Sequence, residues 1–435
     1  MAAIPLPNGA LAAFWATDER PFAPGGASGG VPVPDTHFEI MGAQLEAREA
    51  PAAEQKLVPI YPELPGQPPV HASEPADLKR IRGYRTQVNG KTFGIYRGDF
   101  HRHTDISGDG AGDGSLLDLY RYSLDAAGLE YVLVADHSAG NNNEYTWWRT
   151  QKSEDLFRVP GRFSPFYGYE RSVGYPNGHR NVVFAQRGNR TLPITPAEIK
   201  ATVASGSVLY PYLRKLGGLT LAHTSSNIMG TDWRDNDPDL EPLVEVYQGF
   251  RTSSEHEGAP RAASRDDKFS QTGADYKEAG FVWRAWEKGY RLGLIAASDH
   301  ISTHVSYGML YAEDGSREAL MQAMGERHAY AATDNIILDF RASADGKVYF
   351  MGDAGASASA PKFTVKAVGT RPIARVDLIR DNRYVLSRTF QSPEVEFTYI
   401  DTETTEGEKR NHWYYVRVEQ IDGQLAWGSP IWLSR

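Results

Sequence analysis

A chain of 435 residues is too long for one core, and its 41% hydrophobic and 11% aromatic content indicates globular domains. A net charge of -9 argues against a nucleic-acid-binding surface, and no apolar run reaches the roughly 18 residues of a membrane-spanning helix. With no cysteine there are no disulfides and no thiolate metal ligands, and the redox compartment stays open.

Residues 1–91 hold half of the 26 prolines and the run Gly25-Gly-Ala-Ser-Gly-Gly30. Proline fixes φ and cannot continue a helix, so a Pro/Gly-rich N-terminal extension is predicted, with one short helix around Phe38 to Arg48. No basic n-region or cleavage site marks a signal peptide, which leaves a soluble cytoplasmic or periplasmic protein as the expectation.

From residue 92 the pattern alternates between strands and helices. Phe93 to Phe100 reads as a strand ending at His101-Arg-His103. Ser115 to Ala127 reads as a helix, capped by Ser115 with Asp118 as a capping-box partner and ended by Gly128. Glu130-Tyr-Val-Leu-Val-Ala is a buried strand tipped by Asp136 and His137. Arg162 to Tyr169 leads to Glu170, and Gly178 to Ala185 carries His179 at its start. Helical segments lie between Pro196 and Leu216; Gly218 to Ala222 is an apolar run capped by His223, and Leu243-Val-Glu-Val-Tyr follows. Tyr276 to Lys288 is a predicted helix, Leu292 to Ser298 a strand tipped by Asp299 and His300, and Ser316 to Arg327 a final helix.

From residue 334 the helical signal ends. Ile336 to Phe340, Lys362 to Val368, Ala374 to Ile379, Val395 to Tyr399 and Trp413 to Val418 are short alternating strands, predicting a β-sandwich over 334–435 that packs against the preceding domain, 92–333.

The regularity is chemical as well as structural. Buried strands repeatedly end in His, Asp or Glu, and in an α/β barrel the strand C-termini converge on one face where active sites lie. Imidazole and carboxylate ligands without thiolate suit zinc, manganese or iron. The calcium-loop look of Asp105-x-Ser107-x-Asp109-Gly110 fails, because its twelfth position is Leu116. No phosphate-cradling glycine loop and no Ser or Cys nucleophile elbow is present.

The ordered set His101-x-His103, Asp136-His137, Gly168-x-Glu170, the strand-end His223 and Ser298-Asp299-His300 resembles the polymerase and histidinol phosphatase (PHP) family of metallohydrolases, over about residues 93–330. With the C-terminal strands ending in Ala426-Trp-Gly-Ser-Pro-Ile-Trp, it is similar to a branch of that family whose function is mostly unassigned. The resemblance implies an α/β fold: a distorted (β/α)7 barrel with a C-terminal β-sandwich, a Pro-rich N-terminal arm and two or three divalent ions (Zn, Mn or Fe).

The resemblance also implies that His101, His103 and Asp299 hold a first metal, that Glu170 bridges to a second held by His179 and His223, and that Asp109 and His137 contribute to a third. Two positions depart from the family's pattern. Gly108 separates Ser107 from Asp109, which makes Asp105 a rival ligand, and Ile301 stands where a histidine is usual, so His300 or His304 must substitute. The implied activity is hydrolysis of a small-molecule phosphoester by a metal-bridging hydroxide, with Glu170 and Asp299 in the catalytic centre. Arg180, Arg251, His256 and His304 are candidates to hold phosphate oxygens. Another ester, amide or lactone on the same cluster, or a metal-stabilised binding module, are the alternatives. No nucleic-acid or membrane partner is expected, and oligomeric state is not indicated.

Overall fold

In the computed structural model, residues 2–7, 9–17, 39–45, 72–110, 112–137, 143–249, 252–265, 276–300, 305–403 and 411–434 are described. Two compact units result, Met1–Ala72 and Ser73–Arg435.

The first unit contains an antiparallel sheet, β1 (Ala2–Pro5), β2 (Leu11–Thr17) and β3 (Glu39–Leu45), in that order. The helix predicted from Phe38 to Arg48 is therefore a strand where it is described, paired with β2 from Leu11–Leu45 to Thr17–Glu39. Gly42 lowers helix propensity mid-segment, and a Cβ there would stand 3.2 Å from the Phe14 ring of β2. Residues 46–48 and Phe38 lie outside the described residues.

The second unit opens with a helix that sequence reading missed, α1 (Glu74–Gly83), started by Pro75 in its first turn. β4 (Arg85–Val88) and β5 (Lys91–Arg102) follow, then α2 (Leu116–Arg121), whose predicted capping box is formed: Ser115 Oγ accepts from Asp118 N, and Asp118 accepts from Ser115 N. β6 (Tyr131–Val134) is buried throughout.

Five strands form one sheet in the order β11 (Gly293–Ala297), β10 (Leu243–Gln248), β9 (Leu219–Ala222), β8 (His179–Phe184), β7 (Tyr167–Ser172). β5 and β6 belong to a larger sheet, with β12 (Tyr307–Ala312) antiparallel to β5 and β13 (Ala329–Ala332) beside β12.

The fold is mixed α/β with a large share of sheet, and a regular (β/α)7 barrel is not evident. β7 with β8 and β8 with β9 are antiparallel, and only residues 173–178 separate β7 from β8, where a parallel pair needs about a dozen residues of crossover. The predicted strand from Arg162 to Tyr169 begins later, at Tyr167, and runs past Glu170. The helix predicted over Tyr276 to Lys288 is reduced to a 3-10 turn at Glu278–Gly280 and a short helix, Val282–Glu287.

The predicted C-terminal strands are formed: β14 (Ile337–Ala344), β17 (Lys362–Val368), β18 (Ile373–Arg380), β20 (Glu394–Ile400) and β21 (Asn411–Gln420). β14, β17 and β20 lie in one sheet while β18 and β21 extend the larger one; Phe363 and Tyr414 meet across the layer at 4.4 Å between ring centres. The larger sheet runs on into the preceding residues through hydrogen bonds, because β22 (Leu425–Gly428) pairs antiparallel with β13.

Candidate metal centre

The centre is built where β5 runs out. The register of β5 with β6 shifts between Asp99 and Arg102, and the rings of His101 and His103 both turn to one point. Asp99 is buried and accepts hydrogen bonds from the backbone N–H of His101 (3.0 Å) and of Ser298 (3.3 Å), tying the end of β5 to the residues after β11. Asp299 N–H donates to His101 C=O (2.8 Å) and His103 N–H to Asp299 C=O (3.2 Å). Asp299 holds φ +65°, a left-handed conformation that costs a non-glycine residue about 1–2 kcal/mol. Single parallel bridges set Asp299 beside Arg102 and Glu170 beside His137.

Four ligand atoms then converge. His101 Nε2 lies 3.2 Å from each of His103 Nε2, Glu170 Oε2 and Asp299 Oδ1; His103 Nε2 lies 3.2 Å from Glu170 Oε2 and 2.9 Å from Asp299 Oδ1. An ion with bonds of about 2.0–2.1 Å in a tetrahedral shell needs ligand atoms about 3.3 Å apart, so these separations are close to those of a metal site. The outer nitrogens explain the orientation. His101 Nδ1 meets Glu245 Oε2 at 3.1 Å and His103 Nδ1 meets Ser107 Oγ at 2.9 Å, which turns both Nε2 atoms inward beside the carboxylate oxygens of Glu170 and Asp299.

The other oxygen of Glu170, Oε1, faces His179 Nδ1 (2.6 Å), His223 Nε2 (3.4 Å) and His137 Nδ1 (3.5 Å). His223 Nε2 is buried with no hydrogen-bond partner among the described residues, as a nitrogen prepared for a metal would be. Burial opposes ionisation of Glu170, yet the surrounding His223, His179 and His137 hold its carboxyl well below the usual carboxylate range. Burial and the adjoining His101 push His223 down to about 3, leaving it neutral and able to ligate. Among the described residues, three sets of ligand atoms lie within 4.8 Å of one another: His101, His103 and Asp299; His101, Glu170 and His223; His103, Asp109 and His137. Each could hold a metal ion.

His101, His103, Asp109, His137, Glu170, His179, His223, Asp299 and His300 are thus brought together from strand ends 200 positions apart. Asp109 accepts from His137 Nε2 at 2.8 Å, whereas the rival Asp105 is exposed and belongs to none of the three sets. His300 stacks on His103 (4.3 Å, 19°), its Nδ1 on Asp113 Oδ2 (2.6 Å) and its Nε2 3.4 Å from Asp299 Oδ1. His304 and Arg251 lie outside the described residues.

Arg180 does not join the centre as predicted. It follows His179 on β8 and so points to the opposite face, where Nε meets Glu241 Oε1 and NH2 meets Asp235 Oδ1, both at 2.8 Å. His256 stacks on Trp283 at 3.7 Å and bonds Tyr384 Oη, against the C-terminal strands. Sequence reading missed Asp99, Asp113 and Glu245. The spacing 99-101-103 and a carboxylate inside the fully buried β10 were the available signals.

Residues 124–269 match a family model described as "Protein of unknown function (DUF3604)". The chain is 26% identical over 240 residues to an uncharacterized protein of Chlamydia pneumoniae and 25% identical over 243 residues to one of Chlamydia trachomatis; each match takes in 48% of this chain but only 37% of the relative. A crystal structure from Bacteroides vulgatus, described as a two-domain protein containing a predicted PHP-like metal-dependent phosphoesterase, aligns with 81% of this chain and 98% of its own at 11% identity. Its TM-score of 0.41 is too low for the likeness to bear on the fold.

Proposed function

We propose that this chain is a metal-dependent hydrolase of the PHP type, acting on a small-molecule phosphoester. The observation that carries the reading is the convergence of His101, His103, Glu170 and Asp299 on one point at 2.9–3.2 Å, with two imidazole Nε2 atoms facing inward. Two or three ions of Zn, Mn or Fe would be held by His101, His103 and Asp299, by Glu170, His179 and His223, and by Asp109 and His137, with His300 at the mouth. In the same reading the single bridges from Arg102 to Asp299 and from His137 to Glu170 close strands β5 to β11 into a distorted barrel.

Such ions supply a hydroxide near neutral pH and stabilise charge on the substrate's oxygens. The chain's own part is to present converging imidazole nitrogens, to keep Glu170 ionised between the two sides of the centre, and to fix Asp299 through the backbone of His101 and His103. Buried Glu170 and Asp299, both held ionised by the imidazoles around them, place two carboxylates together in low dielectric, an arrangement that positive charge must balance.

One observation favours a second reading, hydrolysis of an uncharged ester, amide or lactone. The arginines beside the centre are engaged by the protein: Arg102 by Asp299 C=O, Arg171 by Glu198, and Arg180 by Glu241 and Asp235. Aryl phosphate mono- and diesters assayed beside an uncharged aryl ester separate the two. Turnover of the phosphates, abolished by chelation and restored by one of the three metals, is expected; turnover that survives complete metal removal refutes the metal-dependent reading.

Occupancy should also depend on pH in a graded way. Burial opposes the His137 proton, but Glu170 and Asp109 raise its pKa to about 10, whereas His223 sits at about 3. An ion at His137 must displace a proton throughout the neutral range, and one at His223 displaces none there. Lowering the pH from about 8 to about 6 should therefore weaken binding by about tenfold per unit for each proton displaced. This holds at His137 and also at His101 and His103, whose protons Asp299, Glu245 and Glu170 hold against burial, while the His223 contact is unaffected. Metal content after dialysis at each pH checks this.

A further inference from the structure

β10 contains an irregularity that bears on the metal centre. Its register with β11 shifts between Glu245 and Tyr247, so Val246 is an extra residue on one strand of the pair. In a regular strand, positions 245 and 248 differ by an odd number and face opposite sides of the sheet. Here both side chains reach the same imidazole nitrogen: Glu245 Oε2 lies 3.1 Å, and Gln248 Nε2 3.5 Å, from His101 Nδ1. Bulges re-aim side chains in this way. Glu245 and Gln248 are both buried, and the second oxygen of Glu245 has no hydrogen-bond partner among the described residues, which leaves His101 as the contact the carboxylate is placed to make.

We propose that Glu245, presented by the β10 bulge, is a positioning residue that holds the His101 ring in the Nδ1–H tautomer and thereby aims its Nε2 lone pair at the metal ions. The inference rests on the metal-centre reading. His101 is the natural point of control, because its Nε2 is common to two of the three ligand sets, His101/His103/Asp299 and His101/Glu170/His223. A ring free to take the other tautomer would present an N–H to Glu170 and Asp299 and would repel a cation at both. A carboxylate that accepts from Nδ1–H also makes the opposite nitrogen a stronger donor to metal. Gln248 lies further from Nδ1, with an amide whose Nε2 cannot accept, so the acceptor role falls to Glu245.

The test uses the full chain with zinc alone. Zinc affinity is measured by chelator competition for wild type, Glu245→Gln and Glu245→Leu, and the His101 ring nitrogens are followed by NMR in the zinc-loaded proteins. Glu245→Gln keeps a neutral acceptor and should lose about tenfold in affinity; Glu245→Leu should lose about a hundredfold and show a mixed tautomer signal at His101. Partial rescue by Gln over Leu, with circular dichroism unchanged, separates positioning from a folding defect. Equal affinity in all three proteins with an unchanged His101 signal overturns the positioning role while leaving the metal centre standing. Wild type that takes up no zinc overturns both.

Discussion

Replacement of Glu170 by Gln is expected to remove bound metal and to lower hydrolytic turnover at least about a thousandfold, equivalent to about 4 kcal/mol of lost transition-state stabilisation. The Glu170 carboxylate reaches five imidazoles of the centre. One oxygen lies 3.2 Å from both His101 and His103, and the other faces His137, His179 and His223. The amide matches the carboxylate in size but carries no charge, and its NH2 would turn a donor toward imidazole nitrogens that need a cation. The variant should fold, since burial of Glu170 as an anion gains nothing for the apolar packing around it. Metal per chain and turnover of an aryl phosphate are the readouts; a variant that retains both would remove Glu170 from the centre.

The second large effect is on stability. Glu255 is fully buried after β10 and accepts from Tyr415 Oη (2.6 Å), Arg417 NH1 (2.8 Å) and Trp427 Nε1 (2.7 Å). Those donors stand on β21 and β22, so one carboxylate fastens the segment following β10 to the C-terminal strands. Glu255→Ala leaves a buried guanidinium without its main counter-charge and should cost about 3–5 kcal/mol. A double variant, Glu255→Leu with Arg417→Met, should recover part of that loss, because the desolvation of both charges disappears together, while Tyr415 and Trp427 still lack their acceptor and Asp377 loses its 2.9 Å contact with Arg417. Asp377 would keep Arg375 at 3.2 Å and the Ser387 hydroxyl. Denaturant midpoints measure all three proteins; a single variant that unfolds at the wild-type midpoint contradicts the assignment.

The site was more legible in the sequence than the sheet order around it. His101, His137, His223 and Asp299 stand where apolar runs stop, and a buried strand that ends in a ligand-type residue is recognisable without knowing its neighbours. Pairing across a sheet is not local, so the antiparallel β7, β8 and β9 were hidden, although the short link 173–178 already ruled out a crossover between β7 and β8. Arg180 was misassigned for a local reason: adjacency to His179 on a strand separates two side chains rather than joining them. Glu245 could not be placed, because its orientation depends on a bulge that sequence patterning does not mark. Glu39–Leu45 was read as helix for lack of its partner, β2, whose Phe14 ring lies over Gly42.

Elemental analysis of protein purified without chelators tests the central claim most directly. Two or three equivalents of Zn, Mn or Fe per chain are expected, bound at the ends of the strands that lead to His101, Glu170 and Asp299. Metal content near zero that stays there after incubation with each of these ions would contradict it, and the inward-facing imidazoles would then require another counter-charge.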